Sequence, residues 1–176
     1  KVNAGGKFFG GKYIDSIGVF QAKIAGVGVH KVYYFFKDKN GCKNTDSILV
    51  KVNALPNASI NAAGPYCIDA PVDKLTPKVN LGGKFSGGVY IDSTGKFNPS
   101  KAGIGLAKVN YTFTDNNKCT NIDSIRIRVN TLPDASIQLA GPFCLSVGNV
   151  SIKPKSNPSG TFGGGAYIDN LGVFNS

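Results

Sequence analysis

Three stretches of the chain carry closely similar sequences. Residues 82–97 read GGKFSGGVYIDSTGKF, residues 5–20 read GGKFFGGKYIDSIGVF, and residues 159–174 read SGTFGGGAYIDNLGVF. Consecutive copies are offset by 77 residues without insertion or deletion, as the phenylalanines at positions 8, 85 and 162 illustrate. A fixed period of this kind is typical of a chain made of tandem copies of one structural unit.

Two Leu-Pro pairs, ending at Pro56 and Pro133, mark the predicted boundaries between repeats. Proline lacks a backbone donor and biases the preceding residue toward extended conformation, which suits a short, stiff linker. On this division residues 1–54 are the C-terminal part of one repeat, residues 55–131 a complete repeat, and residues 132–176 the N-terminal part of a third. Both ends fall inside a repeat, so we expect either a fragment of a longer chain or a subunit that neighbouring chains complete.

The composition favours strands and turns over helices. The chain has 23 Gly and 9 Pro, lacks Met, and contains no Glu, since all ten acidic residues are Asp. Met and Glu are among the better helix formers, whereas frequent Gly and Pro punctuate short strands. We therefore expect an all-β protein with little or no helix.

Two segments of the complete repeat alternate polar and apolar residues, as half-buried strands do. Residues 108–113 and 124–129 are predicted to pair as an antiparallel hairpin across a turn-rich connection, with both arginines facing outward. Further strands are predicted over residues 58–62, around 72–79, and over 83–90 and 95–98, and the first repeat carries copies of the hairpin strands around Tyr34 and Val50. About seven short strands in one repeat favour tandem immunoglobulin-like β-sandwiches, with a small barrel as the alternative. The predicted core residues of the hairpin are Val109, Tyr111, Phe113, Ile125, Ile127 and Val129.

The four cysteines, two per repeat period, predict disulfides in an oxidising compartment. Cys67 and Cys119 lie within the complete repeat, and we favour their pairing, which leaves Cys42 and Cys144 to pair with parts of repeats outside this chain. Pairing across the linker, Cys42 with Cys67 and Cys119 with Cys144, is the alternative. The favoured pair has one geometric risk, because the two cysteines could lie at opposite ends of the domain.

No group of residues predicts catalysis. His30 is the only histidine and has alanine at the matching position of the next repeat, so no general acid–base pair is expected. The glycine pairs at 10–11 and 87–88 lack a phosphate-loop ending and read as turns. The recurring aspartates are interpreted as turn formers rather than ligands of Ca²⁺, so no cofactor and no metal are predicted.

The chain carries 20 basic and 10 acidic residues, a formal charge of +10. Lysines are spread along the sequence instead of forming one stripe, which argues against nucleic-acid binding. A diffuse attraction to an anionic surface polysaccharide fits the charge better. The sequence contains no signal peptide and no apolar run that could cross a membrane, so membrane insertion is not expected.

Five segments of the complete repeat form a recognisable pattern: 65–67 (PYC), 82–87 (GGKFSG), 93–99 (STGKFNP), 102–105 (AGIG) and 109–119 (VNYTFTDNNKC). Together they resemble the immunoglobulin-like or PKD-like repeats of very large secreted adhesins in the Bacteroidetes, the group that includes gliding-motility adhesins and proteins of the type IX secretion system. The resemblance covers the whole chain, departs from the family in its lysine content, and implies an extracellular, cell-surface location, tandem arrays, and a stalk or adhesive role without catalytic residues.

The sequence therefore predicts a non-enzymatic segment of a long extracellular adhesin or surface filament, whose partners are neighbouring repeats or identical chains. Length, stiffness and multivalency would supply its function. Two alternatives remain. One is a filament subunit assembled by strand exchange between chains, and the other is a carbohydrate-binding module of a secreted enzyme.

Overall fold

The protein is built mainly from β-strands, which confirms the predicted all-β class. The computed structural model describes residues 5–174. Two helices of four residues, α1 (Ala22–Ala25) and α2 (Pro99–Ala102), and one 3₁₀ turn (Gly165–Tyr167) accompany the strands. The strands are β1 (Lys7–Phe9), β2 (Gly28–Lys37), β3 (Lys43–Val52), β4 (Tyr66–Cys67), β5 (Asp73–Lys74), β6 (Lys84–Ser86), β7 (Lys96–Phe97), β8 (Gly105–Thr114), β9 (Thr120–Asn130), β10 (Val150–Ser151) and β11 (Val173–Phe174).

The middle repeat, residues 55–131, contains a four-stranded sheet in the order β4-β9-β8-β6. The long strands β8 and β9 form the antiparallel hairpin, with Val109 opposite Ile125. Strand β6 pairs antiparallel with β8, whereas β4 pairs parallel with the last two residues of β9. Both strands are longer than predicted, because the ladder of backbone hydrogen bonds continues up to the tight loop of the hairpin.

A second, two-stranded sheet pairs β5 with β7, and residues of both sheets form one hydrophobic core. Phe97 of β7, fully buried, contacts the rings of Tyr66 and Tyr90 at centroid distances of 5.6 and 5.9 Å. Buried apolar area is the main favourable term in folding, so this cluster holds the middle repeat together. Its members are Ala58, Ile60, Leu75, Phe85, Ile91, Phe97, Ala107, Val109, Tyr111, Ile127 and Val129.

Four of the six predicted core residues are almost completely buried: Val109, Tyr111, Ile127 and Val129. The other two, Phe113 and Ile125, are half-buried and pack against the core. Ile125 is more exposed because β4 pairs only with the far end of β9 and leaves this part of β9 at the sheet edge. Phe113 lies one residue beyond the part of β8 that β6 covers.

Some local structure differs from the sequence prediction. Residues 58–62 make an isolated bridge, Ile60 with Pro77, instead of a full strand. Strand β4 was not predicted, because two residues give no alternation pattern. Helix α2 has a clear signal that was overlooked: the Asn98 side chain accepts a hydrogen bond from the Lys101 amide at 3.0 Å, and Pro99 follows it.

The N-terminal segment, residues 5–54 of the described chain, repeats the hairpin of the middle repeat. Its sheet has the order β1-β2-β3. Lys7 lies opposite Phe35, and 77 residues later Lys84 lies opposite Thr112, so the two sheets have the same register. In the third segment, β10 pairs with β11 just as β5 pairs with β7.

Candidate functional site

His30, the single histidine of the sequence, makes contacts that fit a packing role. Its Nε2 donates to the Gly26 carbonyl at 2.9 Å, since a carbonyl oxygen can only accept. Its ring lies 5.0 Å from the ring of Tyr13 and 6.2 Å from that of Phe20, and the residue is half-buried. These neighbours offer no carboxylate, and the Tyr13 hydroxyl donates to the Lys31 carbonyl at 3.2 Å, so the imidazole has no obvious reaction partner.

The recurring aspartates close turns with their own backbone. Oδ1 of Asp92 accepts from the amides of Thr94 and Lys96 at 2.9 and 3.0 Å, and Asp15 and Asp169 make the same pair of contacts in their copies. The Lys96 amide, with help from the Thr94 hydroxyl, lowers the pKa of Asp92. Within residues 5–174 no three His, Cys, Asp or Glu side chains come together as metal ligands.

The glycine-rich stretch is shaped by close packing rather than by a ligand. A Cβ at Gly83 would collide with the carbonyl oxygen of Thr112 and the ring of Tyr111. Gly95 has a φ of +95°, and a Cβ there would meet the Leu75 carbonyl at 2.8 Å. Both glycines let the chain pass against the core where no side chain fits.

Cysteine positions overturn the predicted Cys67–Cys119 disulfide. Cys67 pairs in register with Asn130, the last residue of β9, whereas Cys119 comes just before Thr120, the first residue of that strand. Ten residue steps along a strand span about 33 Å, far beyond the roughly 7 Å limit between bridged Cα atoms. All four cysteines are free thiols, so the alternative pairing across the linker is not formed either.

The same geometry gives the middle repeat two distinct ends. We call the end with the hairpin loop, residues 115–119, the loop end, and the end with Cys67 and Asn130 the exit end. The chain enters at the loop end, because the Asn121 side chain donates to the Pro56 carbonyl at 2.8 Å. It leaves at the exit end after β9. The chain therefore enters and leaves the repeat at opposite ends.

A pair that sequence reasoning missed lies near the exit end. The Tyr66 hydroxyl donates to Oδ2 of Asp73 at 2.5 Å, beside an open cavity of about 360 Å³. Burial, followed by the nearby Asp73 carboxylate, raises the pKa of Tyr66 to about 12. No motif predicted the pair, and the third segment has Phe143 and Val150 at the matching positions.

A groove of about 400 Å³ opens in the third segment, between Pro133, Ile137 and Phe162. In the middle repeat the matching site is filled by Tyr111, whose hydroxyl donates to the Asn80 carbonyl at 2.6 Å and accepts from the Gly83 amide at 2.8 Å. The groove is therefore the socket of a strand like β8. At its edge Asp134 has a pKa lowered to about 2, because the hydroxyls of Ser136 and Ser156 donate to it.

The outer face of the hairpin in the middle repeat is basic. Lys108 lies directly opposite Arg126, and Arg128 follows on the same face opposite Leu106. Like charges at directly opposed positions destabilise a strand pair, so an anionic partner would relieve their repulsion. This face therefore concentrates three positive charges on two neighbouring strands.

None of the helices within residues 5–174 is long and apolar enough to cross a membrane. Comparison with known proteins adds no relative: no protein-family model matches the chain, and no curated protein sequence matches it.

Proposed function

We propose that the chain is a structural segment of an extracellular adhesin or surface filament, in which immunoglobulin-like β-sandwich repeats are joined head to tail. The observation that carries this proposal is the path of the chain through the middle repeat, which enters at one end and leaves at the other. The chain enters at the loop end, beside Asn121, and leaves at the exit end, beside Cys67. Copies joined in this way add length with every repeat, as a stalk requires.

One observation supports the sandwich interpretation, and another supports the stalk. The four-stranded and two-stranded sheets of the middle repeat contribute to one core, in which Phe97 of the small sheet packs with Ile127 and Val109 of the large one. The connection between repeats is short, with Pro56 and Pro133 each three residues after the last asparagine of the preceding hairpin. Short proline-containing linkers are semi-rigid, which favours a stalk over independent domains.

Surface chemistry supports an adhesive role over a catalytic one. The residues that recur at matched positions close turns or fill the core. The recurring aspartates use their carboxylate oxygens to accept hydrogen bonds from backbone amides, as Asp92 does. The exposed face with Lys108, Arg126 and Arg128 would contact anionic polysaccharide weakly. The matching positions of the first segment are Lys31, Leu49 and Lys51, so two of the three charges recur there. Weak contacts repeated along one chain give high avidity.

Small-angle X-ray scattering of the whole chain tests the array. A compact globule of this length has a radius of gyration of about 16 Å. Three segments in line, each about 35 Å long at the rise of a β-strand, give a rod with a radius of gyration of about 30 Å. A value near that of the globule would contradict head-to-tail packing.

Linker variants provide the matched control. Replacing Pro56 and Pro133 by glycine removes the stiffness but leaves the cores intact. We expect a broader distribution of lengths and a smaller mean radius of gyration, with unchanged circular dichroism. Asn121→Ala should loosen the first linker alone, because only its contact with the Pro56 carbonyl is lost.

A second candidate, a filament assembled by strand exchange, is favoured by the groove in the third segment. The N-terminal segment carries Tyr34 on β2, at the position of Tyr111, and its ring contacts Phe8 at 4.7 Å, as Tyr111 contacts Phe85. A β2 strand from another chain could thus fill the groove around Ile137.

Analytical ultracentrifugation over a concentration series separates the two candidates. Fibres of uniform subunits would favour strand exchange, and monomeric rods at all concentrations would favour the stalk. Ile137→Asp should abolish fibres because it places a charge in the groove. Leu139→Asp is the matched control, since Leu139 is fully exposed and does not line the groove.

A further inference from the structure

The two cysteines of the middle repeat occupy opposite ends of the unit. Cys119 belongs to the loop end, and Cys67 to the exit end, where it lies on the strand next to Asn130. Neighbouring strands are about 4.8 Å apart, so Cys67 is close to the point at which the chain leaves the repeat. A repeat with one thiol at each end cannot bridge itself, but it can bridge its neighbours.

Continuity of the linker brings the two kinds of end together. Pro133 follows Asn130 by three residues, which span at most about 10 Å. In the middle repeat the carbonyl of the matching proline, Pro56, is bound by Asn121, two residues from Cys119. The same contact in the following repeat would hold its loop end against the linker at the exit end, the end at which Cys67 lies.

Both thiols are held on fixed backbone and remain accessible. Asp115 clamps the loop cysteine from two sides: the Cys119 amide donates to Oδ1 at 2.9 Å, and the Asp115 amide donates to the Cys119 carbonyl at 3.0 Å. Next to Cys67, the Ile68 amide donates to the Asn130 carbonyl at 2.9 Å. Cys67 is exposed and Cys119 half-buried. Because backbone hydrogen bonds already hold both cysteines, little ordering entropy opposes a bond from either one to a cysteine of the adjoining repeat.

Cys42 shows that this presentation is a property of the repeat. Its amide donates to Oδ1 of Asp38 at 2.8 Å, and the Asp38 amide donates to its carbonyl at 2.9 Å, as in the Asp115 loop. The flanking turn differs in sequence between the two copies, yet the cysteine is held in the same way.

We propose that the cysteine on β4 of each repeat forms a disulfide with the hairpin-loop cysteine of the following repeat. This inference rests on the head-to-tail array proposed above. Cys67 would pair with the loop cysteine of the third repeat, and Cys119 with the β4 cysteine of the first. Under this pairing no two of the four cysteines within residues 5–174 are partners of each other, in agreement with four free thiols.

The bond forms by thiol–disulfide exchange with a small-molecule disulfide such as oxidised glutathione. One cysteine thiolate attacks a sulfur of glutathione disulfide and releases one reduced glutathione. The second cysteine thiolate then attacks the protein sulfur of the mixed disulfide and releases another. The two protein thiols are oxidised by two electrons, the glutathione disulfide is reduced by two, and the protons pass to the released thiolates.

A chain extended in phase tests the pairing. Ser176 matches position 99 of the middle repeat, so appending a copy of residues 100–131 after Ser176 completes the third repeat and supplies a second copy of Cys119. With the four native cysteines this makes five thiols. In a glutathione redox buffer we expect the number of free thiols to fall from five to three, and peptide mapping to join Cys67 to the appended cysteine.

Two serine variants of the extended chain make the test specific. Cys67→Ser should abolish the bridge and leave its remaining thiols free. Cys144→Ser replaces the same type of residue at the next junction and should leave the bridge intact. Neither substitution touches the core, since both cysteines are exposed.

Scattering from the same oxidised samples separates failure of the pairing from failure of the array. Free thiols throughout, or a mapped Cys67–Cys119 bond, in a chain that scatters as a rod would overturn the pairing alone. A compact globule without the bridge would overturn both the pairing and the head-to-tail array.

Discussion

The middle repeat and the N-terminal segment share a hairpin register but differ in burial. Tyr111 is 1% exposed, whereas its counterpart Tyr34 is half-buried; Val129 is also 1% exposed, and its counterpart Val52 is half-buried. The ladder forms in both because adjacent strands supply its hydrogen bonds locally. Burial differs because the middle repeat also contributes residues 58–75, which cover the inner face of its sheet.

The third segment is the complement of the N-terminal one. It has the covering residues without the long hairpin, and there Ile137 is 53% exposed, whereas Ile60 is 3% exposed in the middle repeat. Neither half buries a core comparable to that of the middle repeat. Among residues 5–174, stability should therefore be concentrated between residues 55 and 131.

The largest expected effect contrasts Phe97 with Phe20, which occupies the same position one repeat earlier. Phe97→Ala should destabilise the middle repeat by about 3–5 kcal/mol, because it empties a fully buried site. Phe20→Ala should cost much less, since Phe20 is half-buried. Amide hydrogen exchange as a function of urea concentration is the measurement. Exchange in β8 reports the loss of stability in Phe97→Ala, and exchange in β2 reports the loss in Phe20→Ala. Equal losses would refute the concentration of stability in the middle repeat.

Removing one hydroxyl in the core should have an intermediate effect. Tyr111→Phe leaves the Asn80 carbonyl and the Gly83 amide without their partner and should cost about 1–3 kcal/mol. Tyr90→Phe is the control, because its hydroxyl donates to the Lys108 carbonyl at the exposed surface, at 3.0 Å. If both variants unfold at the same urea concentration, the buried hydroxyl contributes no more than the exposed one.

The hairpin loops offer a smaller, opposite effect. Lys118 has a φ of +66°, and Gly41 occupies the matching position of the first loop with a φ of +85°. Lys118→Gly should stabilise the middle repeat by about 0.5–1 kcal/mol, because glycine adopts this conformation without strain. The reverse change, Gly41→Lys, should destabilise the first hairpin. Thermal unfolding of both variants checks the sign, and a loss with Lys118→Gly would contradict it.

The smallest effect is a local response to acid in the turn at Asp92. Its folded pKa lies below the unfolded value of about 4, so the carboxylate stabilises the turn above that value, and this stabilisation is lost as the pH falls through the folded pKa. Asp92→Asn should remove the pH dependence in that range, because the amide keeps an acceptor but does not titrate. Hydrogen exchange of the Lys96 amide between pH 5 and about 2 is the measurement. An unchanged slope in the variant would assign the acid response to other groups.

Periodicity alone predicted the hairpin and most of its core. The alternation in residues 108–113 and 124–129 identified the face that the structure buries, and the repeat period identified matching strands in the first segment. Strand β4 was not predictable, because it pairs with the end of β9, which is distant in the sequence. Tyr66 and Asp73 are close in the sequence, but β4 and β5 have two residues each and give no alternation pattern that would place the two side chains together. The disulfide prediction was wrong because spacing gives the distance along the chain but not the end of the domain at which a cysteine lies.

The sequence by itself determined the period, the all-β class, the turns closed by Asp92 and its copies, and the inward face of each long strand. These features depend on residues close in the chain or on alternation along one strand. Only the tertiary structure decided how two sheets and residues 58–75 together close the core of the middle repeat, and that Cys67 and Cys119 lie at opposite ends. Both depend on the order in which strands from distant parts of the chain pair in a sheet. Backbone hydrogen bonding allows many such orders, and only the packing of the whole unit selects one of them.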